Sequence, residues 1–167
     1  MTADDPIDAL AARLGYEFSA RSNLTAALAH RSWCAENDGP PSNERLEFLG
    51  DSVLGLVVTD HIYLTYSTLP EGELAKVRAS VVNAQALAEA AVRLELGAAV
   101  QLGKGEAASG GREKPSIHSD AFEAVIGAIY LDGGWDAAQE FVLRMLGDLI
   151  EEAAAGPGGQ DYETRLQ

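Results

Sequence analysis

Apolar residues recur at helical spacing along most of this chain. Ile7, Leu10 and Leu14 are set three and four apart, which makes one stripe of an amphipathic helix. Asp5 followed by Pro6 suits its start and Gly15 its end. A second helix is predicted from Ser22 to about Ala35, with Leu24, Ala27, Leu28 and Trp33 facing inward. The Asp38-Gly39-Pro40-Pro41-Ser42 stretch interrupts it. Ser42 or Asn43 can then cap a long helix running to about Tyr66. Val53, Leu54, Leu56, Val57, Val58, Ile62 and Leu64 make that helix apolar enough to be central.

A turn is expected at Thr68–Gly72, around Leu69-Pro70. Helices at about 73–79 and 83–95 follow, or one helix bent near Val81-Val82. Gly97 and Gly103 enclose a short element. The stretch 103–116 reads as a polar loop whose glycines and serines hold no core position. Helix returns over about 116–131, breaks at Asp132-Gly133-Gly134 and resumes over about 136–152. Strand-like alternation is weak, so the fold class is all-α.

Length and composition narrow the function classes. The chain has 167 residues, enough for one domain with a substantial core, and 47% hydrophobic content excludes a disordered acidic tail. Its 26 acidic and 12 basic residues leave a formal charge of −14. Such a field gives no general attraction to nucleic acid, so bound cations or a basic domain elsewhere would have to supply it. Cys34 is the single cysteine, which rules out an intrachain disulfide. MTADDPIDAL has no apolar export core, and no apolar run approaches the roughly 20 residues a membrane helix needs. A cytoplasmic location without membrane contact is the expectation. The terminal AAAGPGGQDYETRLQ reads as a linker entering something further.

The unusual polar residues are acids inside apolar helices. Glu44, Glu47 and Asp51 are three and four apart, along one side of the long helix. Asp120 and Glu123 open the hydrophobic run DAFEAVIGAIYL. Two carboxylates about 4 Å apart repel by roughly 4 kcal/mol at an effective dielectric of 20. A cluster of them therefore keeps protons or binds cations, and Mg2+ prefers oxygen ligands of this kind. Metal-dependent phosphoryl transfer is the reading that follows. The competing reading is a charged surface: Arg45 can pair with one acid, and DxxE is common. Periodicity alone does not say whether the two motifs meet.

NERLEFLGDSVLG resembles the signature of the ribonuclease III catalytic domain. LGYEF, ALAHRS, EGELAKVRASVVN, LELG, LGKGE, SGGR, KPSI and DAFEAVIGAIYLDGG resemble further family blocks in their usual order, over about residues 7–152. The resemblance implies the ribonuclease III endonuclease-domain fold over 1–152, a linker at 153–160, and at 161–167 the start of a truncated double-stranded-RNA-binding domain. It implies Glu47, Asp51, Asp120 and Glu123 as metal ligands, with Asp51 and Glu123 the strongest catalytic assignments. Glu44 and Glu71 resemble outer acids of the catalytic valley, with a surface-charge reading still open. The implied reaction is Mg2+-dependent cleavage of double-stranded RNA, with Mn2+ as a substitute. It leaves 5′-phosphate and 3′-hydroxyl ends with two-nucleotide 3′ overhangs, and ribosomal RNA precursors are the expected substrates, with some messenger and transfer RNA precursors beside them. A homodimer centred on Phe48 is implied, with that side chain entering a cavity on the partner.

Three positions depart from the family blocks: Ala29 in ALAHRS, and His118 and Ser119 in SIHSD. None removes a proposed ligand, and a metal role for His118 is disfavoured because Mg2+ prefers oxygen. His30 and Arg31 are expected to serve packing or a polar tie. Lys104, Ser109, Arg112 and Lys114 either contact phosphates or belong to a solvated loop, which lacks the P-loop arrangement. Asn83 faces RNA or makes a helix-terminal contact. Cys34 reads as a partly buried thiol and Ser52 as a small helix-face residue. Two other classes stay open: a catalytically silent RNA-binding or dimerisation module, and an all-helical metal-dependent nucleotide hydrolase.

Overall fold

A long central helix, predicted from the apolar run at 53–64, packs lengthwise against the helix that carries the second acidic pair. The computed structural model describes residues 5–156, and among them the architecture is all-α. The helices are α1 (Pro6–Leu14), α2 (Arg21–Ala27), α3 (Arg31–Glu36), α4 (Glu44–Thr65), α5 (Glu71–Val81), α6 (Ala84–Arg93), α7 (Lys104–Ala108) and α8 (Pro115–Ala154). Short 3-10 turns occupy Leu96–Ala98 and Gly111–Glu113. α4 and α8 share the most extensive contact, and α6, α2 and α5 pack around α8. The expected segment 161–167, and the linker beyond 156, lie outside the described residues.

α1 forms as its sequence dictates. The Asp5 carboxylate accepts the Ile7 N–H at 2.8 Å, and Gly15 closes the helix in the left-handed conformation. The predicted 22–35 helix is instead two. Leu28, Ala29 and His30 leave helical pairing to meet Gln101: the Gln101 N–H donates to Leu28 O at 2.8 Å and the His30 N–H to Gln101 O at 3.1 Å. Distant backbone atoms thus compete successfully with the local helix. Trp33 is half-buried, whereas Cys34 is fully buried rather than partly so.

At the start of α4 both predicted caps are used, for different purposes. Ser42 Oγ accepts the Glu44 N–H. The Asn43 side chain turns inward and donates to Ala27 O at 3.0 Å, tying α4 to α2. Val53, Leu54, Val57, Val58 and Ile62 are buried as expected, but Leu56 and Leu64 are 58% and 68% exposed. They lie off the stripe that α8 covers, so an apolar run longer than one helical face leaves some of its members outside.

The 103–116 stretch also departs from its prediction. It contains α7 and a 3-10 turn, and Gly111 is buried. The Arg112 guanidinium donates to the carbonyls of Gly97 at 3.1 Å and Val100 at 2.7 Å, which binds the stretch to the preceding turn. The break predicted at 132–134 is a bend at Gly134 (φ 85°, ψ −171°) within α8, a conformation that glycine tolerates. Beside it, Asp132 accepts from the Tyr16 hydroxyl (2.6 Å), Ser19 N–H (2.8 Å), Ala20 N–H (2.9 Å) and Asn23 Nδ2 (3.1 Å). One carboxylate therefore anchors the α1–α2 connection to the bend.

Candidate metal centre

The two acidic motifs meet because α4 and α8 approach backbone to backbone. A Cβ on Gly50 would overlap the Glu123 carbonyl, and one on Gly127 would overlap that of Leu46. Glycine inside a helix costs about 1 kcal/mol relative to alanine, so two such residues in apolar helices mark a close crossing. Sequence reasoning passed over both.

At this crossing Glu47 from α4 and Asp120 and Glu123 from α8 each direct a carboxylate oxygen into one group, all within 4.8 Å of one another. Glu47 is half-buried, Asp120 exposed and Glu123 buried. Burial, then the Asp120 charge and hydrogen bond, push the Glu47 carboxyl up to about 7. Burial, then the hydrogen bond and charge of Asp51, push Glu123 up to about 9. Glu123 Oε2 is buried with no hydrogen-bond partner. An orphaned buried oxygen among carboxylates that resist ionisation fits a divalent cation, whose charge would satisfy all of them. The all-oxygen donor set suits a hard cation.

The other predicted acids stand at graded distances. Asp51 reaches Glu123 but does not join the three-carboxylate group. It lies at the head of an α4–α5 groove of about 640 Å³ that also includes Leu56, Thr59, Arg78, Ala79 and Val82. Glu44, one turn before Glu47, is exposed, accepts from Ser42 Oγ at 2.9 Å, and adds its charge to the field on Glu47. Glu71 opens α5, one turn before Ala75 in the lining of that groove. It is not one of the three grouped carboxylates.

Residues weighed for RNA contact are largely engaged elsewhere. His118 is buried with Nε2 2.5 Å from Arg112 O, so it supports the 3-10 turn and holds no place in the acidic group. Lys114 pairs with Glu106 at 2.7 Å, and Ser109 Oγ donates to the same carboxylate at 3.1 Å. Lys104 is the exception: its backbone N–H binds the Glu36 carboxylate, and its ammonium has no partner among the described residues. Asn83 caps α6, accepting from Ala86 N–H at 2.9 Å.

A family model described as Ribonuclease-III-like matches residues 21–149, most of the chain and every acid of this site. The chain belongs to the ribonuclease III family. It is 57% identical to the Ribonuclease 3 of Streptomyces coelicolor over 158 residues, covering 95% of this chain and 57% of that protein. It is 58% identical to the Ribonuclease 3 of Thermobifida fusca over 144 residues, covering 86% and 60%. The chain thus spans under two-thirds of the length of these relatives. The solved nuclease domain of ribonuclease III from Campylobacter jejuni superposes with a TM-score of 0.79 at 42% identity, over 85% of this chain and 96% of that one. The all-helical fold of this ribonuclease III-family chain is therefore that of the nuclease domain. Among its described residues no helix is long and apolar enough to cross a membrane.

Proposed function

We propose that this chain is the catalytic domain of a Mg2+-dependent endoribonuclease acting on double-stranded RNA. The observation that carries the proposal is the convergence of Glu47, Asp120 and Glu123, with Asp51 against Glu123 and one buried Glu123 oxygen without a partner. Bound Mg2+ supplies Lewis-acid activation of water and neutralises charge gathering on the phosphate. Glu47, Asp120 and Glu123 hold the ion, and Asp51 completes the ligand set from the groove side. Glu44 adjusts the field on Glu47, and Glu71 acts on the scissile strand or an outer ion. The products are 5′-phosphate and 3′-hydroxyl ends with two-nucleotide 3′ overhangs, and structured precursors such as those of ribosomal RNA are the substrates. Mn2+ substitutes for Mg2+, and the site of action is the cytoplasm.

Assembly belongs to the same reading. Phe48 is 80% exposed, and Leu56 and Tyr63 follow it along one side of α4. A two-fold pairing through this face would cover them and present two acidic groups to opposite RNA strands. The related Campylobacter domain contains a region involved in dimer formation. Residues 1–152 form the catalytic unit, with 153–160 leading into an RNA-binding domain.

Single-turnover cleavage of duplex RNA, single-stranded RNA and nucleoside triphosphates tests the proposal across a Mg2+ titration. Wild type should cut only the duplex, and E123Q and D51N should lose at least about a hundredfold in rate. Equal rates for wild type and E123Q at every Mg2+ concentration would remove Glu123 from the site. Activity confined to free nucleotides would reject the assignment.

A further inference from the structure

His30 sits at the join of three segments. Its backbone pairs with Gln101, the carbonyl of neighbouring Ala29 accepts the Asn43 N–H at 2.9 Å, and α3 begins at the next residue. The ring is half-buried beside the N-terminal end of α4. Nδ1 accepts the Ser32 N–H at 3.1 Å and so caps α3. Ser32 Oγ lies 2.7 Å from the same nitrogen and itself accepts the Gly103 N–H at 2.8 Å.

This chain of contacts determines where the proton is. A ring nitrogen that accepts an N–H carries no proton of its own. The Ser32 hydroxyl, already accepting from Gly103, is then free to share the same Nδ1 lone pair as a donor. The imidazole is neutral, with its one proton on Nε2. Among the described residues no acceptor lies within hydrogen-bonding distance of Nε2. The charged groups facing the ring are Arg31 on α3, Glu106 on α7, Asp120 on α8 and Glu44 on α4. Burial, followed by Arg31, holds the ring below the usual histidine pKa despite the three acids.

We propose that His30 is a phosphate-binding residue whose Nε2–H, oriented by the Gly103–Ser32–His30 relay, donates to a non-bridging oxygen of the RNA strand lying on the acidic group. This rests on the function proposed above. The choice of side chain has a physical basis. Lysine or arginine here would pair with Glu44 or Asp120 and compete with the metal for carboxylates. A neutral imidazole offers a donor to an anionic oxygen and leaves those carboxylates free. The cap on α3 thus has a second consequence, since occupying Nδ1 obliges Nε2 to be the donor.

H30N separates the two roles, because asparagine is a strong N-cap but is too short to place a donor where Nε2 stands. H30F loses both. H30N should keep the wild-type unfolding temperature while its single-turnover cleavage of duplex RNA falls about ten- to a hundredfold, as for loss of one hydrogen bond to a charged group. H30F should lose both stability and rate. Long-range proton–nitrogen NMR of the wild-type chain should show the proton on Nε2, a readout that needs no variant to fold. A proton on Nδ1, or H30N cleaving at the wild-type rate, would overturn this inference alone. A wild-type chain inert toward duplex RNA, with the expected nitrogen spectrum, would instead overturn the proposed function and this inference with it.

Discussion

Gly50 on α4 lies directly against the backbone carbonyl of Glu123 on α8, with no room between them for a methyl group. The contact sets the separation of the two helices that carry the acids, so the reach of Glu47 toward Asp120 and Glu123 depends on a residue with no side chain. Gly50→Ala should force the helices apart and destabilise the fold by at least about 2 kcal/mol. It should also weaken divalent-cation binding measured by calorimetry with Mn2+. Wild-type stability together with wild-type affinity would contradict this account of the site.

The metal-free protein should lose stability as pH rises. Glu47 and Glu123 have folded-state values of about 7 and about 9, above the ordinary 4.5. Over that interval the folded state binds more protons than the unfolded one, so the slope of stability with pH is negative. Their contribution is complete below about pH 4.5 and declines through pH 7 and 9 as each must ionise in place. Chemical denaturation in EDTA should record this decline, and E123Q should flatten its upper part. Added Mg2+ should stabilise most at high pH, where the carboxylates are free to bind it.

Asp132 should act in the opposite pH direction. Its hydrogen bonds, that of Tyr16 foremost, hold its carboxyl down at about 2, below the ordinary 3.8. Its stabilisation is present above pH 3.8 and is lost as pH falls through 2. Asp132→Ala should cost about 2 kcal/mol at neutral pH by leaving several donors unpaired. Urea midpoints of the two proteins would measure the cost, and an unchanged midpoint would deny the anchor.

The exposed side of α4 should be an interface. Wild type at tens of micromolar should scatter light as a dimer, and F48A should shift it toward monomer without lowering the helical signal. A monomeric wild type would dismiss pairing through Phe48. RNA affinity supplies a linked expectation: a chain extended beyond residue 167 into an RNA-binding domain should bind duplex more tightly and with a steeper salt slope than this one.

Much of the molecule is local and therefore readable from sequence. The Asp5–Pro6 start of α1, the extent of α4, the division near Val81-Val82 and the interruption at 132–134 follow from caps, breakers and a 3.6-residue period. The acids Glu44, Glu47, Asp51, Asp120 and Glu123 stood out because apolar helices seldom carry unpaired carboxylates, and ordered blocks of residues pointed to the family. Periodicity defines the faces of a helix but not which face another helix will cover. Leu56 and Leu64 share the apolar run with Val57 and Ile62, yet only the latter pair faces the core. Backbone partners far along the chain are equally invisible: Gln101 ended a helix at Leu28, and Arg112 found carbonyls rather than phosphates. The sequence by itself determined the helices and the chemical character of their acids. The crossing of α4 over α8 at Gly50 decided which acids converge, because carboxylates cooperate only within a few ångströms and helix spacing is set by packing.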